Sequence, residues 1–224
     1  MNNDIKKLIP EKLGSIEFKA VLPPDLEDKL IIAINNWFPD TNYDLKTGMT
    51  KTTILFKDNR PYVIKIPHQG VYTPTVKCFD DIPTNFKYHK LKENYCEKEL
   101  NLFINYAIPA TIGGFFLPIF PTYLSLNPDV IVYLQTKAKM LEDMAEKDKI
   151  YFIPNSIKDL NKLDIPTYWL YKAIETYSVA TCKKLLIFLN ENPEISKDLS
   201  CENLGFVGDK YPVITDYAGI FDYY

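Results

Sequence analysis

Three polar residues near the end of the sequence have types and spacing that suit metal chemistry. Asp198 and Asn203 are five residues apart, and Asp216 follows thirteen residues later. Residues 204–215 have the pattern of two short strands joined by a turn at Gly208-Asp209, which predicts a tight hairpin. Because a hairpin brings its two ends together, we expect Asn203 and Asp216 to lie side by side. One carboxylate and one amide oxygen at that place predict an Mg²⁺ site, since Mg²⁺ prefers hard oxygen ligands.

The order of these residues resembles two segments of the protein kinases. DLSCEN at 198–203 resembles their catalytic loop, and DYAG at 216–219 resembles their metal-binding segment. The resemblance implies that Asp198 takes the proton of a substrate hydroxyl, while Asn203 and Asp216 hold Mg²⁺ on ATP. Ser196-Lys197 and Tyr217-Ala218 depart from the family's His-Arg and Phe. PVITDYAG is also similar to small, C-terminally truncated kinase-like proteins of tailed phages, which implies the host cytoplasm as location.

Two predicted strands carry the residues that would meet phosphate. TTILFKD and PYVIKIP alternate as strands of an antiparallel sheet. The preceding KTGMTKT is similar to the phosphate-covering loop of kinases, with Gly48 as its one glycine. Main-chain N–H groups there can reach phosphate, assisted by Thr50 or Lys51. In the same resemblance Lys65 is the lysine that contacts the α- and β-phosphates; taken alone, Lys65 on an alternating strand is typical of a solvated surface residue.

A helix is predicted over residues 91–107, where apolar residues recur at helical spacing. Glu99 lies at the edge of the apolar face, and a partly buried carboxylate there needs a cation partner. The kinase resemblance pairs Glu99 with Lys65 to align ATP, and Pro109 stands ten residues later, as the family's proline does. Glu97 is the alternative glutamate, and both could instead be solvated helix charges.

The remaining segments are interpreted from turn residues and periodicity. His68 and His89 fall in an insertion or flap, and we interpret both as polar loop residues. We expect a helix over 25–38, the insertion over 67–90, two further strands of the same antiparallel sheet within 115–139, a hinge at 133–137 that meets adenine, a short helix over 139–149, and one long helix over 166–189 that Pro193 ends.

These elements predict an α+β protein. The resemblance implies a two-lobed, kinase-like fold with an antiparallel sheet and one helix in the first lobe and a truncated, mostly helical second lobe. The expected domains are an N-terminal helical extension over 1–40, the first lobe over 41–136 and the second over 137–224. Only residues 220–224 follow Gly219, so the activation segment and substrate-binding helices of protein kinases are expected to be missing.

Composition excludes several classes of function. The 224 residues carry a net charge of −3, which gives no electrostatic case for nucleic acid or an anionic membrane as partner. Arg60 is the one arginine, so no internal arginine finger is expected. The absence of an apolar leader or span predicts a soluble, cytoplasmic protein. Four cysteines without C-x-x-C spacing predict free thiols rather than zinc: Cys78, Cys96, Cys182 and Cys201.

Two functions follow as hypotheses. In the first, the protein binds ATP and Mg²⁺ and transfers the γ-phosphate to a hydroxyl of an unknown protein or small-molecule acceptor. Asp198, Lys65 and Glu99 then act in catalysis, and Gly48, Thr50, Asn203 and Asp216 complete the ATP and Mg²⁺ contacts. In the second, it is a catalytically inactive pseudokinase that serves as a nucleotide-binding or protein-interaction module. Fold alone does not decide between them.

Overall fold

The computed structural model describes residues 11–13, 16–21, 42–74, 86–122, 132–145 and 149–219. The chain divides into two compact units. The first comprises Met1–Glu97, Phe120–Gln135 and Asp222–Tyr224, and the second comprises Lys98–Ile119 and Thr136–Phe221. The helix predicted over 25–38 lies outside the described residues, and the predicted domain boundaries stay predictions.

The described residues form strands and helices in an α+β arrangement, as the sequence predicts. The strands are β1 (Glu11–Leu13), β2 (Ile16–Val21), β3 (Tyr43–Thr47), β4 (Lys51–Phe56), β5 (Tyr62–Pro67), β6 (Gly70–Pro74), β7 (Phe86–Lys90), β8 (Ile119–Thr122), β9 (Val132–Thr136), β10 (Lys139–Met140), β11 (Leu204–Val207) and β12 (Tyr211–Ile214). The α-helices are α1 (Tyr95–Leu102), α2 (Asn155–Lys158), α3 (Thr167–Tyr177), α4 (Val179–Glu191) and α5 (Pro193–Ser196).

A five-stranded sheet with the order β3-β4-β5-β9-β8 contains the predicted strand pair. Strands β3, β4 and β5 are antiparallel neighbours, with Ile54 opposite Ile64 and Thr53 opposite Lys65. Successive side chains of a strand point to opposite faces. One face therefore carries the apolar cluster, and Lys65, which stands between two members of that cluster, lies on the other face. The cluster comprises Ile54, Phe56, Ile64, Ile66 and Val132.

A second antiparallel sheet, with the order β1-β2-β6-β7, corrects the expectation of a loop insertion over 67–90. Gly70 begins β6 opposite Lys90, and the end of the Tyr88 ring packs over the position that a Cβ of residue 70 would take. Because Tyr88 is exposed, its ring could move to accommodate a larger residue there. The sequence did not indicate these strands because the pairing of β6 with β2 joins segments about fifty residues apart.

Helix α1 begins at Tyr95 rather than at residue 91. Asn94 sets this start, because its Oδ1 accepts hydrogen bonds from the main-chain N–H of Cys96 at 3.0 Å and of Glu97 at 3.1 Å. A π-helical turn, Phe103–Ala107, continues the helix. The cysteine on the predicted buried face, Cys96, is fully buried.

The second unit is built around helices α3 and α4. They replace the single long helix predicted over 166–189. The break falls at Ser178, whose φ of 81° and ψ of 157° are incompatible with a continuous helix. The Ser178 hydroxyl oxygen accepts a hydrogen bond from the N–H of Thr181 at the start of α4. Apolar periodicity runs through this position, so it could not reveal the break.

The core of the second unit joins these helices to the β11–β12 hairpin. Trp169 is fully buried and donates its indole N–H to the carbonyl oxygen of Gly205 at 3.2 Å. A Cβ added at Gly205 would lie 2.8 Å from the Lys139 carbonyl oxygen, so β11 packs closely on β10. This packing fixes the hairpin from which the candidate site is built.

One smaller prediction was wrong. The segment from Lys139 forms β10 and the 3-10 turn Leu141–Asp143 rather than a short helix, since it pairs with β11. Helix α4 ends at Glu191, just before Pro193, as predicted, and Pro193 then begins α5, where its missing N–H needs no partner. Among the described residues, no helix has the length and apolar character that crossing a membrane requires.

Candidate functional site

The hairpin at the centre of the candidate site forms as the sequence predicts. Leu204 pairs with Ile214 and Val207 pairs with Tyr211. The turn between them contains Gly208 at φ 60° and Asp209 at φ 57°. Two successive left-handed residues of these types are typical of a tight hairpin turn. The register places Asn203 next to Thr215 and Asp216 at the open end.

Asn203 joins the loop before the hairpin to the end of the second strand. Its side-chain Nδ2 donates to the carbonyl oxygen of Asp198 at 2.6 Å. Its own carbonyl oxygen accepts from the main-chain N–H of Thr215 at 2.8 Å and from the Thr215 hydroxyl at 3.2 Å. Because Nδ2 is committed to Asp198, Oδ1 is the side-chain atom that can act as a metal ligand. Asp198, Asn203 and Asp216 are all half-buried.

Glu99 contacts the residue that follows Asp216. Its Oε1 accepts a hydrogen bond from the main-chain N–H of Tyr217 at 3.0 Å, and Glu99 is fully buried. The Tyr217 hydroxyl donates to the carbonyl oxygen of Leu117 at 3.1 Å. Burial raises the pKa of Tyr217, and the charges of Glu99 and Asp216 raise it further. The alternative glutamate, Glu97, is exposed.

The segment after Asp216 ends at Gly219, which packs against α5. Its φ is 74°, and an added Cβ would lie 2.5 Å from the Glu194 carbonyl oxygen of α5. Only glycine combines this backbone conformation with so close an approach. Four predicted residues of the second unit, Glu99, Asp198, Asn203 and Asp216, thus belong to one connected set of contacts.

The remaining predicted residues lie in the first unit. Lys65 is buried in the middle of β5, on the face opposite the apolar cluster. The turn between β3 and β4 contains Gly48, whose N–H donates to the Lys51 carbonyl oxygen at 2.9 Å, and the buried Thr50. A Cβ added at Gly48 would lie 3.4 Å from that oxygen, and the residue does not have positive φ. The backbone of this turn therefore does not itself require glycine.

His68 lies in the short connection between β5 and β6, as interpreted, but its side chain is buried. The imidazole is buried, with Nε2 2.7 Å from the Thr52 hydroxyl and Nδ1 3.2 Å from the Met49 carbonyl oxygen. Burial lowers the pKa of His68 to about 4, against the effect of the hydrogen bond to Met49. The interpretation of His89 as a loop residue was wrong, because His89 lies on strand β7, where it is partly exposed.

Thr215 and Tyr217 also escaped the sequence interpretation, although the hairpin register could have identified Thr215. It faces Asn203 across the hairpin, where a threonine hydroxyl can reach the opposite carbonyl oxygen. Nothing local marks Tyr217 as the partner of Glu99, because the two residues are 118 positions apart.

The donor chemistry fits a magnesium ion better than zinc. Among the residues that the structure describes, no group of three or more His, Cys, Asp or Glu side chains is arranged to hold a metal. Asn203 and Asp216 offer one amide and one carboxylate oxygen. Such a pair suits Mg²⁺, which keeps several water ligands and accepts phosphate oxygens for the rest.

Comparisons with known proteins give little information. No protein-family model matches the chain, and no curated protein sequence is significantly similar to it. Among solved structures, a MAP kinase from Leishmania major, LmaMPK10, is similar with a TM-score of 0.37 and 11% identity, over 88% of this chain and 51% of that one. The Rio2 kinase–ADP/Mg²⁺–phosphoaspartate complex from Chaetomium thermophilum has a TM-score of 0.34 and 12% identity, over 94% and 57%.

The chain thus spans about half the length of these two structures. TM-scores below 0.5 do not establish a shared fold, and identities of this size carry nothing about function. The two similar structures are both protein kinases by name.

Proposed function

We propose that the protein has a kinase-like fold, binds ATP with Mg²⁺, and transfers the γ-phosphate to a hydroxyl acceptor. One observation carries this proposal: Asn203 bonds both to the main chain of Asp198 and to the residue before Asp216. A proton acceptor and two oxygen ligands for a metal are thereby held by one hydrogen-bonded hairpin end. Phosphoryl transfer depends mainly on such positioning and on charge stabilisation.

Each residue of this set has a separate role in the proposal. Asn203 Oδ1 and the Asp216 carboxylate would hold Mg²⁺, which would neutralise charge on the phosphates. The acceptor oxygen forms a bond to the γ-phosphorus while the bond to the β,γ-bridging oxygen breaks and ADP leaves. The proton of the acceptor hydroxyl goes to the Asp198 carboxylate. Glu99, through the N–H of Tyr217, holds the main chain beside Asp216.

The proposal assigns the ATP phosphates to Lys65 and to the turn at Gly48–Lys51. The position of Lys65 on the face opposite the apolar cluster supports this role. In this turn the Gly48 N–H is bonded to the Lys51 carbonyl oxygen, and the side chains of Thr50 and Lys51 supply a hydrogen-bond donor and a positive charge.

A binding experiment tests the metal role of Asp216. Isothermal titration with ATP and Mg²⁺ should show affinity in the wild type that falls at least about tenfold in Asp216→Asn, because a charged ligand oxygen is lost. Asp209→Asn is the matched control. It makes the same change in the exposed turn of the same hairpin, where asparagine tolerates the positive φ. Equal losses in both variants, or no wild-type binding, would refute the proposal.

A second binding experiment tests Lys65. Lys65→Met should weaken ATP binding while retaining the fold, because methionine keeps the length of the side chain without its charge. Lys57→Met is the control, since Lys57 is exposed and makes a surface ion pair with Asp44. Unchanged affinity in Lys65→Met would remove Lys65 from the site.

A transfer experiment separates an active kinase from a pseudokinase. Incubation with ATP labelled at the γ-phosphate should label the protein itself or an extract protein. Asp198→Asn should reduce the rate by about 100-fold or more, since it removes the proton acceptor. The pseudokinase alternative is favoured by Ser196, which is buried and hydrogen-bonded to the Pro193 carbonyl oxygen where kinases have histidine. Binding without Asp198-dependent transfer would establish that alternative.

A further inference from the structure

We propose that His68 is a positioning residue that locks the Gly48–Lys51 turn in one conformation and thereby sets the affinity for the phosphates of the nucleotide. The second half of this inference rests on the function proposed above. The first half concerns the first unit alone and stands on the contacts of His68. The kinase resemblance assigns no role to this residue.

The contacts of His68 reach the middle of the β3–β4 turn and the strand that follows it. Nδ1 lies 3.2 Å from the Met49 carbonyl oxygen, and the main-chain N–H of His68 donates to the Thr50 carbonyl oxygen at 2.8 Å. On the other side of the ring, Nε2 lies 2.7 Å from the hydroxyl of Thr52 on β4. A single residue after β5 therefore holds three residues of the turn and its following strand.

These contacts define the tautomer of the imidazole. A carbonyl oxygen only accepts, so the proton is on Nδ1, and Nε2 of the neutral ring accepts from the Thr52 hydroxyl. That hydroxyl also lies 3.3 Å from Thr47 Oγ1, but the shorter contact to His68 takes its single proton. The neutral ring is consistent with the lowered pKa of His68, since burial and the charge of Lys51 both oppose protonation.

The residues that His68 contacts include or adjoin those that the proposed function needs. Met49 and Thr50 of the turn and Lys51 and Thr52 at the start of β4 are all buried, which is unusual for a segment with one lysine and two threonines. Two main-chain groups next to the proposed phosphate contacts, the carbonyl oxygens of Met49 and Thr50, are bonded to His68. A turn that is already ordered loses less conformational entropy when a ligand binds.

Three variants test the contacts of the two imidazole nitrogens separately. His68→Leu removes both side-chain contacts, His68→Asn retains a donor near the position of Nδ1, and Thr52→Val removes only the hydroxyl. His89→Leu is the control on β7. Amide hydrogen exchange at Gly48, measured by NMR, should accelerate about tenfold in His68→Leu and clearly less in His68→Asn, while exchange at Ile54 in the middle of β4 stays unchanged.

The nucleotide arm of the experiment measures Kd for ATP with Mg²⁺ in the same variants. His68→Leu should weaken binding about tenfold, His68→Asn should restore most of the affinity, and His89→Leu should have no effect. If His68→Leu does not fold, Thr52→Val provides the same comparison with a smaller perturbation and an expected effect of about threefold.

The failures of the two proposals are distinguishable. Absence of wild-type nucleotide binding would refute the proposed function, and the exchange of Gly48 would still decide the role of His68. Unchanged exchange at Gly48 in His68→Leu, or equal acceleration at Gly48 and Ile54, would overturn the positioning role. Faster exchange at Gly48 in His68→Leu with an unchanged Kd for ATP would show that the conformation of the turn does not set the nucleotide affinity.

Discussion

Gly208 and Gly219 have the same sign of φ but different surroundings. At Gly208 φ is 60° and no atom lies within 4 Å of an added Cβ. At Gly219 φ is 74° and the Glu194 carbonyl oxygen lies 2.5 Å from that position. The two residues stand near opposite ends of the hairpin that carries the candidate site. Alanine substitutions at these two positions can therefore separate the loss of stability due to backbone conformation from the loss due to a steric clash of the added Cβ.

We expect Gly208→Ala to lower the free energy of unfolding by about 1 kcal/mol, the cost of left-handed backbone in alanine. Gly219→Ala should lower it by about 3 kcal/mol or more, because the Cβ also meets rigid backbone. Gly48→Ala is the control and should change stability little, since its φ is not positive and its nearest contact is 3.4 Å. Urea unfolding of the three variants measures this order. A Gly219→Ala no more destabilised than Gly208→Ala would contradict the close packing on α5.

At the scale of elements, the break between α3 and α4 holds a serine in a strained backbone conformation. Ser178 has φ of 81° and ψ of 157°, a region in which residues other than glycine are rare. Its hydroxyl compensates in part by accepting from the N–H of Thr181, although the distance of 3.4 Å indicates a weak bond.

Ser178→Gly should therefore raise the free energy of unfolding by about 1 kcal/mol. Glycine removes backbone strain of about 1–3 kcal/mol, and loss of the serine cap to glycine costs only a few tenths. Ser178→Ala should instead destabilise, since it keeps the strain and loses the hydroxyl. Thermal unfolding of the two variants checks the opposite signs. Destabilisation in both would mean that the hydroxyl outweighs the backbone strain.

The features that the sequence could predict are those with a local signal. The β11–β12 hairpin was predicted, because Gly208-Asp209 between two alternating segments is a local signal, and with it the neighbourhood of Asn203 and Asp216. The break at Ser178 was missed because apolar periodicity continues on both sides of it. The strands β6 and β7, the burial of His68 and the bond from Tyr217 to Glu99 all depend on partners distant in sequence, which no local pattern reveals.

At the scale of the molecule, each unit has its own apolar cluster. The cluster of the second unit gathers side chains from α3, α4 and the β11–β12 hairpin, and that of the first lies on one face of the five-stranded sheet. A change of pH that protonates a buried group in one unit should therefore speed amide hydrogen exchange in that unit before it does so in the other. His68 in the first unit is such a group, because its neutral form is required by the contacts it makes.

Acid should destabilise the first unit selectively. The pKa of His68 is about 4 in the folded protein against 6.5 in the unfolded chain, so below pH 6.5 the unfolded chain binds a proton that the folded one does not. The free energy of unfolding should fall by up to about 3 kcal/mol as the pH decreases from 6.5 to about 4. Below about pH 4 His68 should cause no further loss. Hydrogen exchange at Ile54 as a function of pH, corrected for the intrinsic rate, measures the effect. His68→Asn should flatten this dependence, and a persistent slope would assign it to other groups.

The hydrogen bond from Tyr217 to Glu99 has a kinetic consequence. It closes a loop of 118 residues, and the entropy lost in bringing such distant segments together must be overcome before the contact contributes. The hairpin can form early, because its residues are neighbours in sequence. The bond between Glu99 and the Tyr217 N–H forms only after that long loop has closed. Refolding should accordingly show β11–β12 protected first and the amide of Tyr217 protected late.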